Sequence, residues 1–459
     1  MRTRSRAAVD AVVKAYDIRG IVGEGIDEDF AADAGAAFGR LMAAEGATGV
    51  VVGHDMRDSS PGLARAFAAG AAGRGLDVDF IGLASTDELY YASGALDRPG
   101  AMFTASHNPA AYNGIKLCRA GARPIGRDTG LADIADMLVD GVPAGEAAPG
   151  EVVRRDLLED YAGHLRSLVD IPAGRTPVVA VDAGNGMAGL TAPAVLGPIA
   201  DLRPLYFELD GTFPHHEANP LEPANLVDLR GFTVAQGADI GLAFDGDADR
   251  CFVIDERGEP VSPSAICALI ADRHLRAEPG ATIIHNLITS AAVPELIAAR
   301  GGRAVRTRVG HSYIKAEMAR TGAVFGGEHS AHYYFREFHN ADSGMLAALH
   351  VLAALAESGG TLSELMDGYD PYEQSGEINS RLADAGEQAA RRAAVAEAFA
   401  DRAAAMDELD GLTVHLADSR AWFNVRASNT EPLLRLNVEA PTRAEVEALT
   451  AEILGIIRG

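Results

Sequence analysis

Val178-Val-Ala-Val181, followed by Asp182-Ala-Gly-Asn-Gly-Met-Ala-Gly-Leu190, is a short β-branched run, a glycine-rich turn and the start of a helix. Strand, turn and helix in that order form the repeating unit of a parallel α/β sheet. The same order occurs at Val50–Val52 before Gly53-His-Asp-Met-Arg-Asp-Ser-Ser-Pro-Gly62. It occurs again at Thr282–Ile284 before His285-Asn-Leu-Ile-Thr289 and a helical continuation to Gly302. The wide spacing predicts one such unit opening each of three successive α/β domains.

The tail reads differently. Glu387–Met406 is rich in Ala, Glu and Arg and predicts a helix. Strand-like runs follow at Leu412–Leu416, Trp422–Val425 and Leu434–Val438, and Thr442 with Glu445 forms a capping box before a last helix toward Ile457. A separate α+β domain is expected here, after a hinge near Gly368–Ser375. A single core stops growing at roughly 250–300 residues. The 459 residues therefore divide into expected domains of 1–150, 151–255, 256–370 and 371–459.

Composition narrows the function. Hydrophobic residues at 48% and charged residues at 23% are ordinary for a globular chain. A net charge of -25 opposes nucleic-acid binding but leaves room for a small anion in a local basic pocket. The longest apolar stretch, Met345–Ala356, is interrupted by His350 and falls short of the about 20 residues that span a bilayer. Met1–Gly20 carries positive charge without a sustained apolar core, so neither secretion nor membrane attachment is expected. Cys118, Cys251 and Cys267 have no CxxC spacing and suit reduced thiols in cytoplasm. Lys14, Lys116 and Lys315 are the only lysines. GC-rich codon usage explains that scarcity, with a salt-adapted surface as the other reading. A lysine kept in such a chain marks a place that needs an amine able to exchange a proton.

Five loops carry candidate chemistry. Phe103-Thr-Ala-Ser-His-Asn-Pro109 exposes the Ser106 hydroxyl in a turn, as an attacking or phosphorylated serine requires, and continues through Tyr112-Asn-Gly-Ile-Lys116. Alone, it also fits an ordinary surface turn. Phe244-Asp-Gly-Asp-Ala-Asp-Arg250, between strand-like Ile240–Phe244 and Cys251–Ile254, converges three carboxylates on one point. All-oxygen ligands select a hard cation such as Mg²⁺ or Ca²⁺. Asp245, Asp247, Asp249 and Glu256 match positions of an EF-hand, but Arg250 replaces its required glycine and the following segment reads as strand. An arginine in such a loop suggests a site that also faces an anion.

Gly326-Gly-Glu-His-Ser-Ala-His332 alternates acceptors and donors that suit vicinal hydroxyls, although a polar loop is the plainer reading. Thr307-Arg-Val-Gly-His-Ser312 is weaker still. Arg426-Ala-Ser-Asn-Thr-Glu-Pro432 combines an arginine, two hydroxyls and turn amides as a phosphate cradle; a solvated loop is its alternative.

Together these loops, with Tyr16-Asp-Ile-Arg-Gly20, resemble the α-D-phosphohexomutase superfamily, and most closely its bacterial phosphomannomutase/phosphoglucomutase branch. The resemblance covers nearly the whole chain, one signature loop per domain. It implies a four-domain, heart-shaped architecture of three related α/β domains and a C-terminal α+β domain around a cleft. It implies a phosphoserine at Ser106 and one Mg²⁺ held by Ser106, Asp245, Asp247 and Asp249. Lys116, Arg250, His311 and Arg19 align with catalytic residues. Tyr16, Glu328, Ser330, His332, Arg426, Ser428, Asn429 and Thr430 align with substrate-binding residues.

The implied reaction interconverts hexose 6-phosphate and hexose 1-phosphate through a 1,6-bisphosphate, which also serves as activator. Mannose phosphates are the expected substrates, with glucose phosphates also used, in a cytoplasmic monomer or homodimer. The alternatives are phosphoglucosamine mutase, a phosphatase, or a non-catalytic sugar-phosphate or Ca²⁺ binder. Two positions depart from the family pattern. His54 stands where many members have arginine, and His285-Asn-Leu-Ile-Thr289 stands where some carry a phosphate-binding lysine. Burial of Lys116 beside Arg250 and a metal is expected to lower its pKa.

Overall fold

The computed structural model describes residues 3–143, 147–428 and 433–459, with the backbone only at His311. These residues form four sheets, one of seven strands and three of five. The expected opening runs are the strands Gly49–His54, Val178–Asp182 and Thr282–Asn286. They lead to the helices Ser60–Ala72, Ala188–Leu196 and Ala292–Ala299. β-Branched residues suit such pleated, buried positions, and strands covered on both faces read as continuous apolar runs.

The first three sheets share one wiring. Each opening strand pairs in parallel with the strand after its helix: Asp77–Leu83, Asp201–Leu205 or Arg303–Thr307. On its other side it pairs in parallel with Gly100–Phe103, Ile240–Phe244 or Phe325–Gly327. Each of those returns in an antiparallel hairpin, through Tyr112–Arg119, Cys251–Ile254 or Tyr333–Phe335. The Ser106 loop, the aspartate loop and the Glu328 loop therefore occupy equivalent places, beyond the carboxyl ends of parallel strands. Ligands of open α/β sheets bind there.

Two expected boundaries move. Val152–Arg154 adds to the edge of the first sheet, past residue 150, and Pro260–Val261 adds to the second, past 255. In both cases the chain completes a sheet edge before it crosses to the next unit.

The fourth sheet is antiparallel, in the order Glu373–Arg381, Leu433–Ala440, Trp422–Ala427, Leu412–Leu416, Ala403–Asp407. Helices Ala385–Phe399 and Arg443–Arg458 accompany it, and Thr442 accepts from the Glu445 amide as the capping box requires. The helix predicted over 387–406 ends early. Phe399 is buried against Phe423 at 4.8 Å, and Ala403–Asp407 pairs as an edge strand with Leu412–Leu416. Cross-strand pairing here outweighs the helix preference of alanine, which is worth only tenths of a kcal/mol per residue.

The apolar stretch at Met345–Ala356 lies in the helix Gly344–Ser358, buried at every position from Gly344 to Leu355. An all-round apolar helix belongs in a core, and this one joins a core that the second and third units share. The first and fourth units have cores of their own. No helix among the described residues is long and apolar enough to cross a membrane.

Candidate active site

Ser106 sits in the turn after Gly100–Phe103 with φ at 48°, a left-handed conformation that costs a non-glycine residue on the order of 1 kcal/mol. Arg57 holds it there. Its Nη2 donates to the carbonyls of Ser106 at 2.9 Å and Asn108 at 2.6 Å, and its Nη1 to those of Pro109 at 2.8 Å and Tyr112 at 3.0 Å. Arg57 is 1% exposed and pairs with Asp55 at 3.2 Å. The loop is thus threaded on one buried guanidinium, whose planar fork reaches several acceptors at once. Arg57 lies outside the five motifs that the sequence marks for chemistry. The available signal was a charged Asp-Met-Arg directly after a strand's carboxyl end.

The three aspartates converge as expected: one ligand atom from each lies within 4.8 Å of the others, and all three are buried. Asp245 Oδ2 accepts from Ser106 Oγ at 2.7 Å and from Arg250 Nε at 2.9 Å. Asp247 Oδ2 accepts from Thr86 Oγ1 at 2.6 Å and from Lys116 Nζ at 2.7 Å, and Asp249 Oδ2 accepts from Lys116 at 2.6 Å. Burial and the charge of Asp247 push Asp249 up to about 7 against the pull of Lys116. Asp247 is lowered: Lys116 and Thr86 outweigh its burial.

A hard cation fits this set. Asp247 Oδ1 and Asp249 Oδ1 are buried without a hydrogen-bond partner among the described residues, and three carboxylates face the cations Lys116 and Arg250. Oxygen-rich, net-negative sites of this kind suit Mg²⁺ or Ca²⁺.

Lys116 faces two carboxylates as well as Arg250. Burial lowers its pKa, but Asp247 and Asp249 outweigh burial and hold the ammonium well above its ordinary value. His107 Nδ1 lies 3.2 Å from Ser106 Oγ, and burial together with Arg250 and Arg19 keeps its ring neutral. Arg19 donates to Asn108 Oδ1 at 2.7 Å and to Asp17 at 2.5 Å, so it too braces the serine loop. Arg250 Nη2 and Arg19 Nε are buried donors without a hydrogen-bond partner among the described residues.

In the third unit, Glu328 Oε1 accepts from Asn286 at 3.0 Å and from the Gly310 amide at 3.2 Å, while Oε2 accepts from the Tyr334 hydroxyl at 2.6 Å. Ser330 Oγ lies 3.1 Å from His332 Nδ1, and His332 Nε2 lies 3.8 Å from Asp249. The Glu328 loop therefore meets the aspartate loop directly. Tyr16, half-buried, packs edge-on to Tyr313 at 6.1 Å beside Gly310, and burial followed by Tyr313 raises its phenol. His311 opens the helix His311–Thr321, and its side chain lies outside the described set.

Arg426 pairs with Glu377 at 2.5 Å, and Ser428 Oγ accepts from Arg435 at 3.3 Å. Asn429 and Thr430 lie outside the described residues. Neither departing histidine supplies a cation. His54 and His285 are buried, each with Nδ1 on a backbone carbonyl, and burial lowers both, His285 to about 4.

Family comparison agrees along the whole chain. Phosphoglucomutase/phosphomannomutase alpha/beta/alpha domains I, II and III match residues 10–138, 159–258 and 262–372, and the family's C-terminal domain matches 377–456. A phosphomannomutase of Salmonella montevideo is 42% identical over 458 residues, covering 97% of this chain and 98% of that one. A protein of Xanthomonas campestris pv. campestris, described as phosphohexose mutases, is 41% identical over 454 residues, covering 97% and 99%. The crystal structure of a phosphoglucomutase/phosphomannomutase family protein from Burkholderia thailandensis superposes with a TM-score of 0.88 at 31% identity, covering 99% of this chain and 98% of that one. The chain is a mutase and belongs to the phosphoglucomutase/phosphomannomutase family.

Proposed function

We propose that this enzyme interconverts hexose 6-phosphate and hexose 1-phosphate, with mannose phosphates as principal substrates and glucose phosphates also turned over. The phosphoryl group is carried on Ser106, and a hexose 1,6-bisphosphate is the intermediate and activator. The observation that carries this reading is the Ser106 hydroxyl, 2.7 Å from Asp245 in a loop clamped by Arg57. The naming of the Salmonella montevideo relative as a phosphomannomutase supports the choice of sugar.

In this mechanism the P–O bond to Ser106 breaks as a P–O bond to the free sugar hydroxyl forms, and the bisphosphate then turns over to repeat the step in reverse. Phosphoryl transfer needs positioning and charge neutralisation more than covalent help. A Mg²⁺ on Asp245, Asp247 and Asp249, with an oxygen of phosphorylated Ser106, would supply Lewis-acid neutralisation. Arg250 and Arg19 offer their unpartnered N–H groups to the transferring phosphoryl oxygens. Lys116, held as an ammonium, gives its proton to Ser106 Oγ as the phosphoryl leaves, and the proton of the sugar hydroxyl restores it.

Tyr16 and His311 border the reacting hydroxyl in this reading. Glu328, Ser330 and His332 hold sugar hydroxyls. Arg426, Ser428, Asn429 and Thr430 clamp the non-reacting phosphate, with Arg426 exchanging Glu377 for it. O3 and O4 are equatorial in both mannose and glucose, so a loop that reads them separates the two weakly. An amine at C2 adds a charge and needs an acceptor of its own. The test is kcat/KM for mannose, glucose and glucosamine 1-phosphates under one bisphosphate activator. Mannose is expected to be used best or equally with glucose. A preference for glucosamine 1-phosphate overturns the substrate.

A further inference from the structure

The third unit contains a second cluster of metal-ligand side chains that shares no residue with the loops described above. His274 lies in the last turn of the helix Pro263–Ala277, His350 lies within the helix Gly344–Ser358, and Glu337 lies in the short turn Arg336–Phe338. One ligand atom from each falls within 4.8 Å of the others. His350 is 6% exposed, and neither of its ring nitrogens has a hydrogen-bond partner among the described residues; the same holds for His274 Nε2. Buried polar atoms are almost always satisfied, so three orphaned nitrogens on two facing rings call for a ligand.

Packing fixes both rings. His350 lies flat on Phe335 at 5.2 Å and 3°, and His274 lies on Phe325 at 5.5 Å and 14°. Their centroids are 5.1 Å apart. A tetrahedral ion with Zn–N bonds of ~2.0–2.1 Å holds two imidazole centroids about 5 Å apart, the separation found here. Glu337 Oε1 is 3.9 Å from His274 Nε2, within reach of the same ion after a small rotamer change. The nearby cations have carboxylate partners of their own, Arg273 with Glu357 at 2.7 Å and Arg336 with Glu278 at 2.5 Å. Beyond the effect of burial, both still press their charge on His274, and Arg273 on His350, so that the two rings stay neutral. Glu337 is thus the carboxylate that faces the two rings, and it is part-exposed, which gives an ion a way in.

We propose that His274, His350 and Glu337 bind one transition-metal ion of the zinc class, separate from the hard-cation site at the aspartate loop. Two imidazoles and one carboxylate form a zinc-type ligand set with a fourth position open to water, whereas Mg²⁺ prefers oxygen ligands throughout. The bound ion joins two helices to the turn that follows Tyr333–Phe335, the return strand of the Glu328 loop, and stabilises the third unit by mass action.

The probe is Co²⁺, titrated into the full chain with Mg²⁺ in excess so that the aspartate loop stays filled. One equivalent should develop the visible absorption of a four-coordinate, nitrogen-ligated ion. Zn²⁺ should displace it and raise the Tm. His350→Phe keeps the stack on Phe335 and should abolish both effects. Glu337→Gln, on a part-exposed turn where folding is not at stake, should weaken Co²⁺ at least tenfold. Asp247→Asn should leave the band intact. Absence of a visible band, or a band unchanged in His350→Phe or in Glu337→Gln, overturns the proposal.

Discussion

Ser106 Oγ donates to Asp245 Oδ2 at 2.7 Å, across 139 residues of sequence. The serine loop and the aspartate loop belong to different units, so this contact depends on how closely two backbones approach. Gly246 sets that approach, because a Cβ there would lie 2.5 Å from the Ser106 carbonyl oxygen. Gly246→Ala should push the loops apart and lower kcat/KM by about 10²-fold, the scale of an ångström-sized misplacement. Measuring Tm alongside turnover separates this from unfolding; wild-type turnover would show that the loops need not touch.

Arg57 is the second test of the same junction. Removing it leaves Asp55 as an unpaired buried charge and four carbonyls without their donor. Arg57→Ala should cost about 3–5 kcal/mol in denaturant unfolding. Arg57→Lys, which keeps the charge but loses the fork, should recover part of the stability and little of the turnover.

Lys116→Arg asks whether the amine or only the charge matters. The variant can still pair with Asp247 and Asp249 but cannot readily give up a proton. Turnover should fall by about 10²–10⁴-fold, the usual worth of a general acid or base. Retention of the wild-type rate across neutral pH would remove Lys116 from proton transfer.

Glu88 offers a stability test outside the reaction. Burial, followed by the charge of Asp87, pushes its carboxyl up to about 8 from an ordinary 4.5. Between those values the folded chain keeps a proton that the unfolded chain has lost, so the folded state binds more protons and stability falls as pH rises through the window. Glu88→Gln should flatten that fall and add on the order of 2 kcal/mol at pH 8, a discounted share of ~1.4 kcal/mol per pKa unit. Unfolding curves at pH 5 and pH 8 read the difference; parallel losses in both proteins would contradict it.

Much of this architecture is legible in the chain itself. The hairpin around Asp245–Arg250 is local, because strand runs flank an acidic turn, and its register pairs Phe244 with Cys251. The equivalence of the three loops is not local, since the units share wiring more than residues. Arg57 and Thr86 act through contacts that exist only after folding: Arg57 on carbonyls about fifty residues away, and Thr86 on Asp247 161 residues away. His54 stands out in the sequence as a departure from the family pattern, whereas Arg57 carries no local signature of its carbonyl contacts. The two carboxylates within hydrogen-bond distance of Lys116, which raise its ammonium against burial, come from a loop more than 130 residues away and leave no mark around Lys116 in the sequence. Composition likewise made Ala403–Met406 look helical, where sheet pairing decides otherwise.

Incubating the full chain and Ser106→Ala with a hexose 1,6-bisphosphate carrying labelled phosphorus, and locating the label by peptide mass mapping, tests the phosphoserine directly. One labelled phosphoryl group per chain is expected, on Ser106. It should chase into hexose monophosphate when unlabelled mannose 1-phosphate is added, and be absent from Ser106→Ala. A label on another residue, or a Ser106→Ala protein that turns over substrate at the wild-type rate, would contradict the phosphoserine mechanism.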